Sequence, residues 1–223
     1  MKDIKKIKFN VSKSSGEVSG LLLLEKNSKA ILLFAHGAGA PMNHPFMNNM
    51  ANLLAEEMIG TLRYNFPYTE NKLRRIDPAP ILMETVKAAA KAVKEYSGDI
   101  PILAGGKSMG GRMTSQAAAV NKLEDVKGLV FFGFPLHAPG KDSTERAEHL
   151  FKVNVPMLFL QGTRDKLANL DLLKPIILKL GKQAQLHIIE GADHSFHLLK
   201  SSGKSDEEVL KEMAKKVGDW SGG

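Results

Sequence analysis

The sequence predicts an α/β fold: a single domain over residues 1–223, with a mostly parallel central sheet and helices on both faces. Three observations carry this. Short apolar runs alternate with helix-spaced segments from Ala30 onward, and strands separated by helices pair in parallel and are covered on both sides. The length of 223 residues suits one domain with a sizeable core. Finally, Gly106-Lys107-Ser108-Met109-Gly110 follows the apolar run Ile102-Leu103-Ala104 and opens a helix-like segment, the pattern of a sharp strand-to-helix turn.

The elements follow in order. Residues 4–11 and 17–24 read as two strands joined at Ser14-Ser15-Gly16, a hairpin. Ala30–Ala35 is a buried strand ending at His36-Gly37. Phe46, Met50, Leu53, Leu54 and Met58 then carry helical spacing over 46–58. Gly60 to Phe66 returns to strand and stops at Pro67. Residues 79–96 form a helix rich in Ala and Lys, Ile100–Ala104 is the strand before the turn, and 109–120 is the helix after it. Val126–Phe132, Val155–Leu160 and Gln185–Ile189 are further strands, and 143–151 can form a short helix. Ser205 with Glu208 makes a capping box ahead of Val209, Leu210, Met213 and Val217, which marks the last helix. No repeat, low-complexity tract or linker divides the chain.

Composition narrows the functional classes. At 43% hydrophobic and 25% charged residues the chain has the balance of a globular protein. It contains no cysteine, which excludes disulfides, Cys-containing zinc sites and a Cys nucleophile. The charged N-terminus, Met1 to Lys6, leads into alternating Ile4, Ile7, Phe9 and Val11 rather than a signal-peptide core. Leu21–Leu24 and Ile31–Phe34 are too short to span a bilayer, so no membrane association and a cytoplasmic location are expected. The net charge of +7 is spread along the chain with no run longer than two basic residues, and reads as a solvated basic surface. No nucleic-acid partner is expected, and the oligomeric state is left open.

A serine hydroxyl is a poor nucleophile at neutral pH and needs a base, an orienting acid and donors for the oxyanion. Ser108 occupies the centre of G-x-S-x-G. Val155–Leu160 leads into Gln161-Gly162-Thr163-Arg164-Asp165, which places Asp165 in a loop at the strand's C-terminal end. Leu186–Ile189 leads into Glu190-Gly191-Ala192-Asp193-His194, which places His194 at the equivalent edge. The order Ser108, Asp165, His194 differs from those of the chymotrypsin and subtilisin types. Upstream, His36-Gly37-Ala38-Gly39-Ala40 is a small-residue loop whose backbone can approach a ligand. The expected oxyanion donors are the amides of Ala38 (with Gly39 as the alternative) and Met109, which stands at a helix N-terminus.

Each assignment has a rival. His197 competes with His194, and Asp171 and Asp142 compete with Asp165. Asp193 reads as a loop residue, His36 as a support for its turn, and Arg112 as a partner in a structural salt bridge. His44, His137, His149 and His187 lack a metal-ligand spacing, so neither metal nor other cofactor is expected. The methionines from Met42 to Met58 read as core or pocket lining. Gly105-Gly106-Lys107-Ser108 is not the end of a phosphate-binding loop, because Pro101 stands where that motif needs glycine.

These motifs carry a resemblance. His36-Gly37-Ala38-Gly39, Arg63-Tyr64-Asn65-Phe66-Pro67-Tyr68, Gly105 to Arg112, Gly162-Thr163-Arg164-Asp165 and Gly191-Ala192-Asp193-His194 span residues 30 to 197. On them the chain resembles the α/β-hydrolase superfamily, specifically its small lid-less members related to dienelactone hydrolases. A group of predicted bacterial hydrolases, with relatives among testis-expressed and chromatin-complex subunits in animals, is similar. Dienelactone hydrolase itself uses a Cys nucleophile, and Ser stands here. The resemblance implies the α/β-hydrolase fold and a serine hydrolase cleaving a small ester or thioester through an acyl-enzyme. About twenty residues separate Phe134 from Val155, too few for a cap domain, and a shallow, open site is expected. The alternative is a non-catalytic binding or scaffold protein that keeps the fold.

Overall fold

The computed structural model describes residues 3–120 and 123–222, so Met1 and Lys2 of the charged N-terminal stretch lie outside the described residues. The strands are β1 (Ile4–Ser12), β2 (Gly16–Leu23), β3 (Ala30–Ala35), β4 (Ile59–Tyr64), β5 (Ile102–Lys107), β6 (Val126–Phe132), β7 (Met157–Gly162) and β8 (Ala184–Ile189). They form one sheet in the order β1-β2-β4-β3-β5-β6-β7-β8. β1 pairs antiparallel with β2, and β2 with β4; every other pairing is parallel.

The helices are α1 (Pro45–Glu56), α2 (Pro67–Glu70), α3 (Ala79–Ser97), α4 (Met109–Ala119), α5 (Leu170–Leu180) and α6 (Asp206–Ser221). Strand side chains alternate between faces, and the core divides accordingly. Ile31, Leu33 and Ala35 of β3 belong to one core with Leu82, Val86 and Val93 of α3, Met113 of α4 and Leu173 of α5. Ala30, Leu32 and Phe34 of the same strand belong to a second core with Met47, Met50 and Leu54 of α1 and Val209, Met213 and Val217 of α6. β3 is buried along its whole length, which is why it reads as a continuous apolar run rather than an alternating one.

Several expected boundaries move. β5 runs on through Gly105-Gly106-Lys107 to the residue before Ser108, and β4 ends at Tyr64 before the single turn of α2. The segment expected as 143–151 is a 3-10 helix over Glu145–Lys152. With an isolated bridge between Ala138 and Lys141, it completes the β6–β7 connection, and no domain is inserted there. α5 was not anticipated, because Pro175 lies inside it. The proline removes the amide that would bond to the Asp171 carbonyl, but both residues are exposed, where solvent can take the place of that donor. Asn169 caps the helix, its side chain accepting from the Asp171 amide at 2.9 Å. At α6 both halves of the capping box are formed. Among the described residues, no helix is long and apolar enough to cross a membrane.

Candidate active site

The C-terminal ends of β3, β5, β7 and β8 carry the candidate residues to one edge of the sheet. Ser108 joins β5 to α4 with φ 50° and ψ −116°, in the left-handed half of the map that side-chain-bearing residues avoid. Such backbone costs on the order of 1–3 kcal/mol and persists only where the surroundings enforce it. The surroundings here are main chain. A Cβ on Gly106 would lie 2.3 Å from the Ala35 carbonyl oxygen, and one on Gly110 2.5 Å from that of His36. Glycine at both positions lets β5 and α4 close on the end of β3, which thrusts the Ser108 side chain upward.

Ser108 Oγ lies 2.8 Å from His194 Nε2, and His194 Nδ1 lies 2.7 Å from Asp165 Oδ2. The imidazole therefore donates from Nδ1 to the carboxylate and can accept from the serine at Nε2. Asp165 is nearly fully enclosed, and its carboxylate takes two further donors. Gln161 Nε2 donates to Oδ2 at 2.5 Å and the Leu167 amide to Oδ1 at 2.8 Å. Gln161 is itself fully buried, and its Oε1 accepts from the Phe134 amide at 2.9 Å. Sequence reasoning missed Gln161; the signal available was a polar residue ending the apolar run of β7.

The His194 loop is braced from below. Phe196 is buried at φ 66° and stacks on Phe46 of α1 with centroids 6.0 Å apart. Asp193 turns away from the imidazole, its Oδ1 accepting from the amides of Ser195 and His197 at 2.8 and 3.0 Å. His197 pairs instead with Asp206 at the start of α6, 2.6 Å away. Asp171 lies in the first turn of α5, and Asp142 accepts from Asn169 Nδ2 at 2.8 Å. None of these rivals reaches Ser108 or His194.

His36 is fully buried behind the loop. Nδ1–H donates to the Gly37 carbonyl at 2.7 Å and Nε2 accepts from the Phe66 amide at 3.2 Å. One neutral imidazole thus ties the Gly37-Ala38-Gly39 turn to the end of β4, and burial holds its pKa down to about 4. Ala38 lines the cavity beside Ser108. Met109 is the first residue of α4, where amides have no partner within the helix. Arg112 departs from expectation: among the described residues it forms no salt bridge. Burial, with the nearby Arg146 charge, lowers its pKa.

A cavity of about 1070 Å³ opens from Ser108 and His194 toward the start of α6, with Phe46, Met47, Leu53 and Leu210 on its apolar walls. Residues of α1 and of the start of α6 supply its walls, and the cavity stays open on one side, as expected. Met47 and Met50 are core and Met58 is exposed. Among the described residues, no three His, Asp or Glu side chains are grouped to hold a metal ion.

A nucleophile turn at the end of a parallel strand, with an acid and a histidine delivered by two later strands, defines the α/β-hydrolase class. The chain belongs to the alpha/beta hydrolase domain family, whose model matches residues 28–222. Solved structures share the fold. A dienelactone hydrolase from Anabaena variabilis aligns with TM-score 0.73 at 21% identity, covering 97% of this chain and 96% of that one. A serine hydrolase without lid from Xanthomonas campestris gives 0.74 at 18%, covering 99% and 96%. The esterase domain of a Rhodothermus marinus protein gives 0.70 at 17%, covering 98% and 97%.

Proposed function

We propose that this protein is a serine hydrolase that cleaves a carboxyl ester or thioester of a small molecule through an acyl-enzyme. The observation that carries the reading is the unbroken hydrogen-bonded line Ser108–His194–Asp165, 2.8 and 2.7 Å, at the mouth of a cavity large enough for a substrate. Ser108 Oγ attacks the carbonyl carbon as His194 Nε2 takes its proton. Asp165 holds the ring and stabilises the imidazolium. The amides of Ala38 and Met109 receive the oxyanion. The intermediate collapses, the carbonyl–oxygen (or –sulfur) bond breaks, and the imidazolium proton passes to the leaving group. Water then attacks the acyl-serine, giving its proton to His194 and releasing the acid and free Ser108.

Labelling by a fluorophosphonate, with the modified peptide located by mass spectrometry, tests this. Stoichiometric modification of Ser108 is expected, lost in both Ser108→Ala and His194→Ala. On a turned-over ester each variant loses on the order of 10⁴-fold in kcat. A folded protein that takes no label overturns the reading and favours a non-catalytic binding protein.

A further inference from the structure

Lys107 immediately precedes the nucleophile and has no part in the mechanism above. Its side chain is half-buried and lines the cavity with Ser108, His194, Phe46 and Phe196. Nζ donates to the main-chain carbonyl of His194 and lies 5.1 Å from the Phe196 ring centroid and 5.9 Å from that of Phe46. Room for it is made by Gly133, where a Cβ would stand 3.2 Å from Nζ and 3.5 Å from the His194 ring.

An ammonium group carries three N–H donors and no acceptor. One is used by the His194 carbonyl; the aromatic faces add attraction to the charge but little directional bonding. Among the described residues, no carboxylate lies within 4.0 Å of Nζ. Asp165 and Asp193 act on it only through space. The Asp165 oxygens serve His194, Gln161 and Leu167, and Asp193 Oδ1 serves two backbone amides. A cation removed from water is stabilised chiefly by a counter-ion. Among the described residues no carboxylate contacts Nζ directly, yet the cation is set beside the nucleophile in the cavity that receives the substrate.

We infer that Lys107 recognises an anionic group on the substrate, so that the preferred ester or thioester carries a carboxylate a few bonds from the scissile carbonyl. The inference rests on the hydrolase reading above. At the far rim of the cavity Asp206 and Glu207 are already partnered, by His197 and Lys211. Phe46, Met47, Leu53 and Leu210 suit the methylenes between the two functional groups. The net charge of +7 draws anions to the molecule as a whole. Burial lowers the Lys107 pKa to about 8, against the opposing influence of Asp165 and Asp193, so the ammonium predominates at neutral pH and titrates just above it.

The test compares matched substrates on wild type and Lys107→Met. In the acyl arm, mono-p-nitrophenyl succinate is set against p-nitrophenyl butyrate; in the leaving-group arm, 4-acetoxybenzoate is set against phenyl acetate. Dividing each kcat/KM ratio by the same ratio in the variant cancels intrinsic reactivity. The wild type should favour the carboxylate in one arm by about tenfold or more relative to the variant, the size of a charge-assisted hydrogen bond. The responding arm shows which part of the substrate carries the anion. An unchanged ratio in both arms overturns the inference. So does an equal loss on every substrate, which would make Lys107 a brace for the His194 loop, or an absence of turnover. Should Lys107→Met not fold, Lys107→Gln, which keeps a donor for the His194 carbonyl but no charge, takes its place in both arms, and an unchanged ratio there overturns the inference. Fluorophosphonate labelling of Ser108 is scored on the same preparations: its failure removes the hydrolase reading, whereas labelling without carboxylate preference removes only the role of Lys107.

Discussion

Replacing Gln161 by Leu, close in size, deletes two interactions at once. Asp165 Oδ2 loses the donor at 2.5 Å, and the Phe134 amide loses the acceptor at 2.9 Å. A hydrogen bond to a charged group contributes about 1.5–3 kcal/mol, and a buried amide left unpaired costs about 1–3 kcal/mol. The sum is roughly 3–5 kcal/mol of stability. In a chain of this length each kcal/mol shifts Tm by about 2–4 °C, so a fall of roughly 6–20 °C is expected by differential scanning calorimetry. Gln161→Glu separates the two terms. It keeps an acceptor for Phe134 but sets a second carboxyl against Asp165, and should recover part of the Tm while labelling of Ser108 by fluorophosphonate stays slow. Near-wild-type Tm together with near-wild-type labelling in Gln161→Leu would refute the role given to Gln161 in fixing the acid.

Further outcomes follow from the same geometry. Gly110→Ala puts a methyl 2.5 Å from the His36 carbonyl oxygen; main chain must move, costing about 1–3 kcal/mol, and both urea midpoint and Ser108 labelling rate should drop. His36 carries a folded-state pKa lowered to about 4, below the unfolded value of about 6.5. The unfolded chain therefore binds the proton first. Stability present above pH 6.5 is lost as pH falls toward 4, by about 3 kcal/mol in all. In urea titrations His36→Asn, if it folds, should flatten that pH dependence. Pro175→Ala restores the missing amide of α5 at an exposed site and should raise the urea midpoint, by the equivalent of about 1–2 kcal/mol once the added freedom of the unfolded chain is subtracted.

Much of this was legible in the sequence because it is local. The glycines around Ser108 announce a tight turn, and β7 and β8 each run directly into the loop that carries Asp165 or His194. The juxtaposition of those three side chains follows from chain order and a parallel sheet. What was hidden depends on partners distant in sequence or on solvent. α5 escaped notice because a proline inside a helix is tolerated only where the freed carbonyl faces water, and exposure is not written in the local sequence. Gln161 is simply one polar residue at a strand end until Phe134, from the neighbouring strand's loop, gives its amide something to accept. The walls of the cavity depend on where α1 and α6 lie beside the sheet edge, and the lack of an acid beside Arg112 among the described residues is likewise a property of packing.

β8 is one of the two edge strands of the sheet and, unlike β3, β4 and β7, is only half-buried over most of its length. It delivers His194, while Ser108 issues from β5 near the centre. The proposed base thus follows a half-buried strand, and the proposed nucleophile a strand that is buried almost throughout. Sub-global opening begins where burial is low, and among the strands that carry the candidate residues that is β8. On warming, the His194 arm should come away while the elbow stays folded, and the chain would pass through a compact but unreactive state. The side-chain bond of His187 to Glu212 of α6, 2.6 Å, is then one of the ties on that arm, and removing it should lower the temperature at which reactivity is lost more than the temperature at which the fold is lost.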